Sequence, residues 1–363
     1  MDSPSEPGPR APGKGDESRS SAAVDWTLAV RVAARLARAE PSMSSYTREQ
    51  VRSELVELAA SAEEPVREVT RLKDGAQVPE ALILDRPGWS RAAASSLAGL
   101  LGGSIEQRPR GLLAGRASGL QAGAVLGILS NAIIGQYDPF AGQGGQLLLV
   151  APNIIHTERA TRVRPRDFRT WVCLHEVTHR VQFSASPWLG GHMRALIDTA
   201  TPASGEPLLA AGQRLVTAIR SRDGSRDADP LLGTGILGIV LESQPPEQRD
   251  AMIGLIMLGT LLEGHAEHVM DAAGPRVVPT VEHIRAVFDE RRHERRGLLQ
   301  WIMRTLLGMD AKMAQYAQGK RFVDTLVERV GMDSFNTIWT SPETLPRPSE
   351  IREPEKWITR VLE

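Results

Sequence analysis

The sequence predicts a mostly α-helical α+β domain with one small sheet, and three observations carry that prediction. Through most of the chain, apolar residues recur at the i, i+3, i+4, i+7 spacing that lines one face of a helix. Only one segment, Gln146-Leu147-Leu148-Leu149-Val150-Ala151, reads clearly as a strand, being a short apolar run between Gly144-Gly145 and Pro152-Asn153. Proline and glycine are absent from Arg166 to Phe183, so a long unbroken helix crosses the middle of the chain.

The elements follow in order. Met1 to Ala23 is rich in Ser, Pro, Gly and charge and nearly lacks large apolar side chains. Such a segment cannot bury enough surface to offset its ordering entropy, so residues 1–23 are expected as a disordered tail. It has no apolar h-region and does not read as a secretory signal. Residues 24–363 read as a single domain. Val24 to Ala39 is a helix before the turn at Pro41, and Thr47 to Ala62 is a second, opened by a capping-box pattern of Thr47 and Gln50. Trp89 to Leu101 and Gly111 to Ile134 are helical. The central helix runs from Pro165 to Phe183, with its proline tolerated in the first turn. Helices are expected at Ala203 to Arg222, Leu231 to Glu242, and Glu247 to Ala272, the last stopping before Gly274-Pro275. Helical patterns return at Val281 to Met309, Ala311 to Gly319 and Arg321 to Val330. Four prolines break Ser341 to Pro354 into a loop before a last short helix.

Composition excludes several function classes. The chain has 363 residues, 41% hydrophobic and 24% charged, with a formal net charge of -1. That balance makes no global field for nucleic acid or an anionic membrane. The charge run Arg285 to Arg296 reads as a solvated helix face with i,i+4 pairs. Glycines 115, 119, 123 and 127 form a smooth ridge like those of membrane helices, but Arg116, Gln121 and Asn131 interrupt it, so it reads as a buried, closely packed helix. Ala251 to Leu262 is too short to span before Glu263. One cysteine, Cys173, excludes an intramolecular disulfide. A cytoplasmic protein with no nucleic-acid partner and no membrane span is expected.

The central helix carries His175-Glu176-Val177-Thr178-His179, an HExxH element. Residues four apart share a helix face, so both imidazoles can grip one metal ion, while the intervening glutamate falls near the position left for water. Trp171, Val172, Leu174, Val177, Val181 and Phe183 surround the motif, and buried histidines beside a buried carboxylate need a common partner. Cys173 points away from that face as a small core residue.

A catalytic zinc usually takes three protein ligands. An elongated motif would need Gly at 182 and His at 185, where the chain has Gln182 and Ala185, and no Asn-Glu-x-x-Ser-Asp continuation follows. The helix from Glu247 supplies the alternative. Met252, Leu255, Ile256, Gly259, Leu262, Ala266 and Met270 form its apolar stripe, and Glu263 lies on that stripe. At roughly 100° per residue, His265 and His268 fall on the opposite, polar side. Glu263 is therefore the expected third ligand. Glu267, one turn further, is expected to orient a ligand histidine through its other ring nitrogen.

These residues carry a resemblance. Asp85-Arg86-Pro87-Gly88-Trp89, Gly135-Gln136-Tyr137-Asp138, Leu148 to Asn153, the HExxH element with Gln182-Phe183, Glu263-Gly264-His265-Ala266 and Gly308 to Lys312 with Gln315-Tyr316 lie along nearly everything after the tail. Together they resemble an actinobacterial zincin-like family of hydrolases or metallopeptidases associated with deazaflavin-coenzyme biosynthesis. The resemblance implies a zincin-like fold and zinc peptidase activity.

The expected function is hydrolysis of a peptide or related amide bond in a peptide or protein substrate, with Zn2+ held by His175, His179 and Glu263 and with Glu176 as general base. Tyr137, His265 and Tyr316 are candidates to meet substrate or its oxyanion. The strand Gln146 to Ala151 is expected to offer its edge to an extended peptide. The competing expectation is a zincin-shaped binding or scaffold protein whose metal is structural or absent.

Overall fold

A computed structural model describes residues 24–73, 79–107, 112–142, 144–201, 241, 243–294 and 309–363, with side chains at 112–114, 289, 291–294 and 309–317 outside that description. The expected tail, the helix at Ala203 to Arg222, all but Leu241 of that at Leu231 to Glu242, and residues 295–308 fall outside it.

The apolar run at Gln146 becomes β3 (Gln146–Val150), the central strand of a three-stranded sheet. β1 (Leu82–Leu84) pairs with it in parallel, and β2 (Gly135–Asp138) pairs antiparallel, placing Gly135 opposite Leu149. Both faces of β3 are covered. Leu147 and Leu149 enter the main core, whereas Leu148 and Val150 enter a second, smaller one, and this two-sided burial is why the strand reads as continuously apolar. With β1 and β2 occupying both of its edges, β3 cannot accept a peptide strand. The unpaired edges of the sheet are instead the outer sides of β1 and β2, which pair with no other strand among the described residues.

The smaller core lies beneath α1 (Trp26–Leu36), α4 (Arg86–Leu100) and α5 (Leu112–Ser130). The glycine ridge of α5 faces α1: a Cβ on Gly123 would lie 2.6 Å from the Ala29 carbonyl oxygen, and one on Gly119 2.6 Å from that of Asp25. Close backbone contact thus explains the four-residue spacing. No described helix is long and apolar enough to cross a membrane.

The main core surrounds α7 (Pro165–Ala185), the central helix of the sequence, which lies against α2 (Ser45–Ser61), α3 (Glu63–Thr70), α6 (Ala151–Thr161), β2 and β3. α2 starts earlier than the capping pattern suggested, because Ser44 rather than Thr47 is the cap: its Oγ accepts from the Thr47 amide at 3.0 Å. α8 (Trp188–Ala200) follows α7 directly.

The helix that carries Glu263, α9 (Pro246–Val277), is regular as far as Gly274, where a positive φ of 51° ahead of Pro275 bends it. α10 (Val281–Glu294) packs back against α7 through Phe288, whose ring lies 5.4 Å from Trp171 and 5.7 Å from Phe168. α11 (Met309–Phe335) runs unbroken through Gly319, where two separate helices were expected. It crosses α9 so closely that a Cβ on Gly264 would collide with the Gly319 carbonyl group. α12 (Pro348–Arg352) and α13 (Pro354–Val361) close the chain, with the wholly buried Trp357 donating its Nε1–H to the Thr344 carbonyl at 2.8 Å.

Candidate metal centre

α7 and α9 are packed side by side, and their contact brings His175, His179 and Glu263 together. Their ligand atoms all lie within 4.8 Å of one another, the only such cluster among the described residues. The two imidazole Nε2 atoms are 3.3 Å apart. Glu263 Oε2 lies 3.5 Å from His175 Nε2, and Oε1 lies 3.9 Å from His179 Nε2. Tetrahedral zinc with bonds of about 2.0–2.2 Å puts its ligand atoms about 3.3–3.6 Å apart; the first two separations fall in that range and the third lies just beyond it, so the donor set fits that ion in chemistry and comes close to it in spacing.

Charge in the cluster is unevenly shared. Burial opposes protonation of His175, but Glu263, then Glu176 and Glu267, outweigh it and raise its pKa. His179 is shifted down, by burial and by His175, against the pull of Glu263 and of its hydrogen bond with Gln182. Glu176 is 5% exposed, and burial pushes its carboxyl up to about 7, with His175 opposing and Glu263 reinforcing. A carboxylate near neutrality can both take a proton from water and return it.

The Glu176 carboxylate lies against the start of β2, where Gly135 leaves the space that a side chain would fill: a Cβ there would be 2.6 Å from Oε1 and Cδ. Gly135 was not singled out for a role in the sequence, since nothing local distinguishes a glycine needed for space from one needed for a turn.

The remaining candidates are placed differently from expectation. His265, expected on the polar side and a candidate to meet substrate, is 0% exposed, its ring held between Phe335 at 5.4 Å and Trp339 at 5.3 Å. Burial, with smaller effects from His268 and His179, drops its pKa to about 3, so it is neutral. The crossing of α11 over α9 buries that side of the helix and withdraws His265 from any substrate role. Glu267 does not orient a ligand histidine, because its side of α9 faces α10, where it pairs with Arg285 at 3.1 Å. Arg285 also pairs with Asp271 at 2.5 Å, so it clasps two helices instead of lying on a solvated face. Tyr137 packs on Phe183 at 5.5 Å and donates its hydroxyl proton to the Gly144 carbonyl at 2.8 Å; burial raises its pKa to about 12. The Tyr316 side chain lies outside the described residues.

Two neighbours of the histidines carried no expectation. His179 Nδ1 lies 2.9 Å from Gln182 Oε1, and His175 Nδ1 lies 3.3 Å from Met270 Sδ. The i,i+3 spacing of His179 and Gln182 is the one signal that could have found the first pair.

A largely helical fold that aims two imidazoles and a carboxylate at one point, beside a buried carboxyl, has the donor set and geometry of a candidate zinc site. The chain belongs to the zincin-like metallopeptidase family, with residues 24–358 matched. It is also similar to a crystal structure from Chloroflexus aurantiacus described as "a putative hydrolase with a novel fold", at 28% identity and a TM-score of 0.65, covering 93% of this chain and 98% of that one. No curated protein matches it.

Proposed function

We propose that this protein is a zinc-dependent peptidase, or a hydrolase of closely related amide bonds, with His175, His179 and Glu263 as ligands and Glu176 as general base. The observation that carries the reading is the convergence, from two helices, of two imidazole Nε2 atoms 3.3 Å apart and the Glu263 carboxylate, whose Oε2 lies 3.5 Å from His175 Nε2 and whose Oε1 lies 3.9 Å from His179 Nε2, close to the spacing of a tetrahedral ion. Zinc held there supplies Lewis acidity, polarising a carbonyl and making water nucleophilic near neutral pH. Glu176 takes the water proton on its carboxylate and passes it to the leaving amine. Its burial keeps bulk water from competing for that proton. β2 begins beside this carboxylate, and its outer edge suits an extended main chain, which favours a peptide over a deazaflavin-coenzyme precursor as substrate. We place the activity in the cytoplasm, a reading supported by a single cysteine, which cannot form an intramolecular disulfide.

The test combines metal analysis of the purified protein with hydrolysis of a peptide library. About one zinc per chain, hydrolysis by the wild type, and a Glu176→Gln variant that keeps zinc but loses turnover are expected. A protein that takes up no zinc would overturn the reading. Zinc bound equally by two inert proteins, wild type and variant, would instead make this a binding protein with a structural metal.

A further inference from the structure

We infer that Gln182 is the positioning residue of the metal centre: its amide, oriented by the Leu262 main-chain carbonyl, sets the His179 tautomer that leaves Nε2 open to zinc. The inference rests on the zinc reading above, but it makes a claim about the zinc-free protein as well.

Gln182 is 0% exposed and lies one helical turn after His179 on α7. The two ends of a glutamine amide look alike, and hydrogen bonding must tell them apart. Here it does. The Leu262 carbonyl oxygen, 3.0 Å away, can only accept, so the amide nitrogen must face it. The second amide N–H points at His265 Nδ1, also at 3.0 Å. That leaves Oε1 facing His179 Nδ1 at 2.9 Å, and an amide oxygen only accepts. His179 must therefore carry its proton on Nδ1, which puts the lone pair on Nε2, the atom aimed at His175 and Glu263.

One side chain thus does two jobs. Leu262 immediately precedes Glu263, so the same amide that orients His179 on α7 also ties down the turn of α9 that presents the third ligand. His265 completes the arrangement from behind: accepting on Nδ1 places its own proton on Nε2, and that atom is buried without a hydrogen-bond partner. A buried N–H left unpaired is costly. It is retained because the ring, wedged between Phe335 and Trp339, presents the acceptor that Gln182 requires. His175 has no equivalent support, since Met270 Sδ is a weak acceptor. The two histidine ligands are held unequally, and Gln182 is the stronger anchor.

The test compares Gln182→Met, which keeps the length but removes every hydrogen bond, with Gln182→Glu, which keeps an acceptor for His179. Two readouts are taken: zinc affinity by competition with a chromophoric chelator, and imidazole nitrogen NMR of the zinc-free protein. Gln182→Met should weaken zinc binding about 10- to 100-fold and shift His179 from the Nδ1–H form to a tautomer mixture. Gln182→Glu should restore the Nδ1–H form but only part of the affinity, because a carboxylate cannot donate to the Leu262 carbonyl. A Gln182→Met protein with wild-type affinity and an unchanged His179 tautomer would overturn the inference. So would a wild-type His179 protonated on Nε2. Should Gln182→Met fail to fold, Gln182→Glu and the wild-type spectrum still decide the tautomer. Should the wild type bind no zinc, the function proposed above fails, while the zinc-free spectrum still tests what Gln182 does to His179.

Discussion

The carboxylate of Glu176 rests on Gly135, so that a Cβ at position 135 would stand 2.6 Å from Oε1. The strand β2 therefore meets the proposed general base with bare main chain, and the position of that carboxylate depends on the absence of one methyl group. Gly135→Ala should push the carboxylate aside without touching the ligands. Hydrolysis should fall by about 100-fold, the scale of an ångström-sized misplacement, while zinc content stays at the wild-type value. Parallel metal analysis and peptide turnover check this; equal loss of both would mean that the methyl disrupts the whole site.

Gly264 and Gly319 set the distance between α9 and α11. Gly264→Ala forces those helices apart next to Glu263 and should cost about 1–3 kcal/mol of stability, the range for overpacking. Thermal unfolding with and without zinc reads both effects, because displacing Glu263 should also reduce the shift that zinc produces. An unchanged melting temperature would show that the crossing relaxes freely.

Zinc held by the proposed ligands would join α7 to α9, two helices of the main core, and its binding would be coupled to folding. Free zinc at a hundred times Kd should stabilise the protein by about 2.7 kcal/mol, and a chelator should remove that increment. His179→Ala should melt at the same temperature with and without zinc. Calorimetry of the four samples is the measurement.

At the C-terminal end, Glu350 is 3% exposed and takes two bonds from Arg360, at 2.5 and 2.8 Å, besides the Arg347 amide at 2.8 Å. Burial acts to raise its pKa, but Arg360 and the Arg347 amide together bring it below 4.5. A depressed carboxyl contributes stability that is complete above its unfolded pKa and is lost as pH falls through the folded one. Denaturant unfolding of the wild type should therefore weaken on acidification below about pH 4.5. Glu350→Gln should lose roughly 1–3 kcal/mol at neutral pH, less than a fully buried pair because Arg360 is partly exposed, and should show a flatter acid limb. A variant with the wild-type pH slope would assign the acid sensitivity elsewhere.

Much of the fold was legible because helical periodicity is local. α1, α4, α5, α7 and the regular part of α9 all follow from apolar spacing, capping residues and proline, and β3 from its apolar run. β1 and β2 were not legible: three and four residues are too short to show a period, and Gly-Gln-Tyr-Asp has no apolar stripe. α6 begins at Ala151-Pro152-Asn153, which read as the end of a strand, and only the fold shows that proline opening a helix.

The site divides along the same line. The sequence alone determined which residues of α7 share a face, because four-residue spacing in a helix is settled by the backbone, and it marked Glu263 by its place on an apolar stripe. It misplaced His265 and Glu267, since periodicity assumes that a helix buries one side. α9 is covered by α7 on one side and by α11 on another, which buries His265, while Glu267 turns to Arg285 on α10. Only the tertiary structure brought Glu263 to 3.5 Å from His175, set Gly135 against Glu176 and joined Gln182 to the Leu262 carbonyl. Those distances are decided by how helices and strands distant in sequence pack together, and spacing within one element carries no information about them.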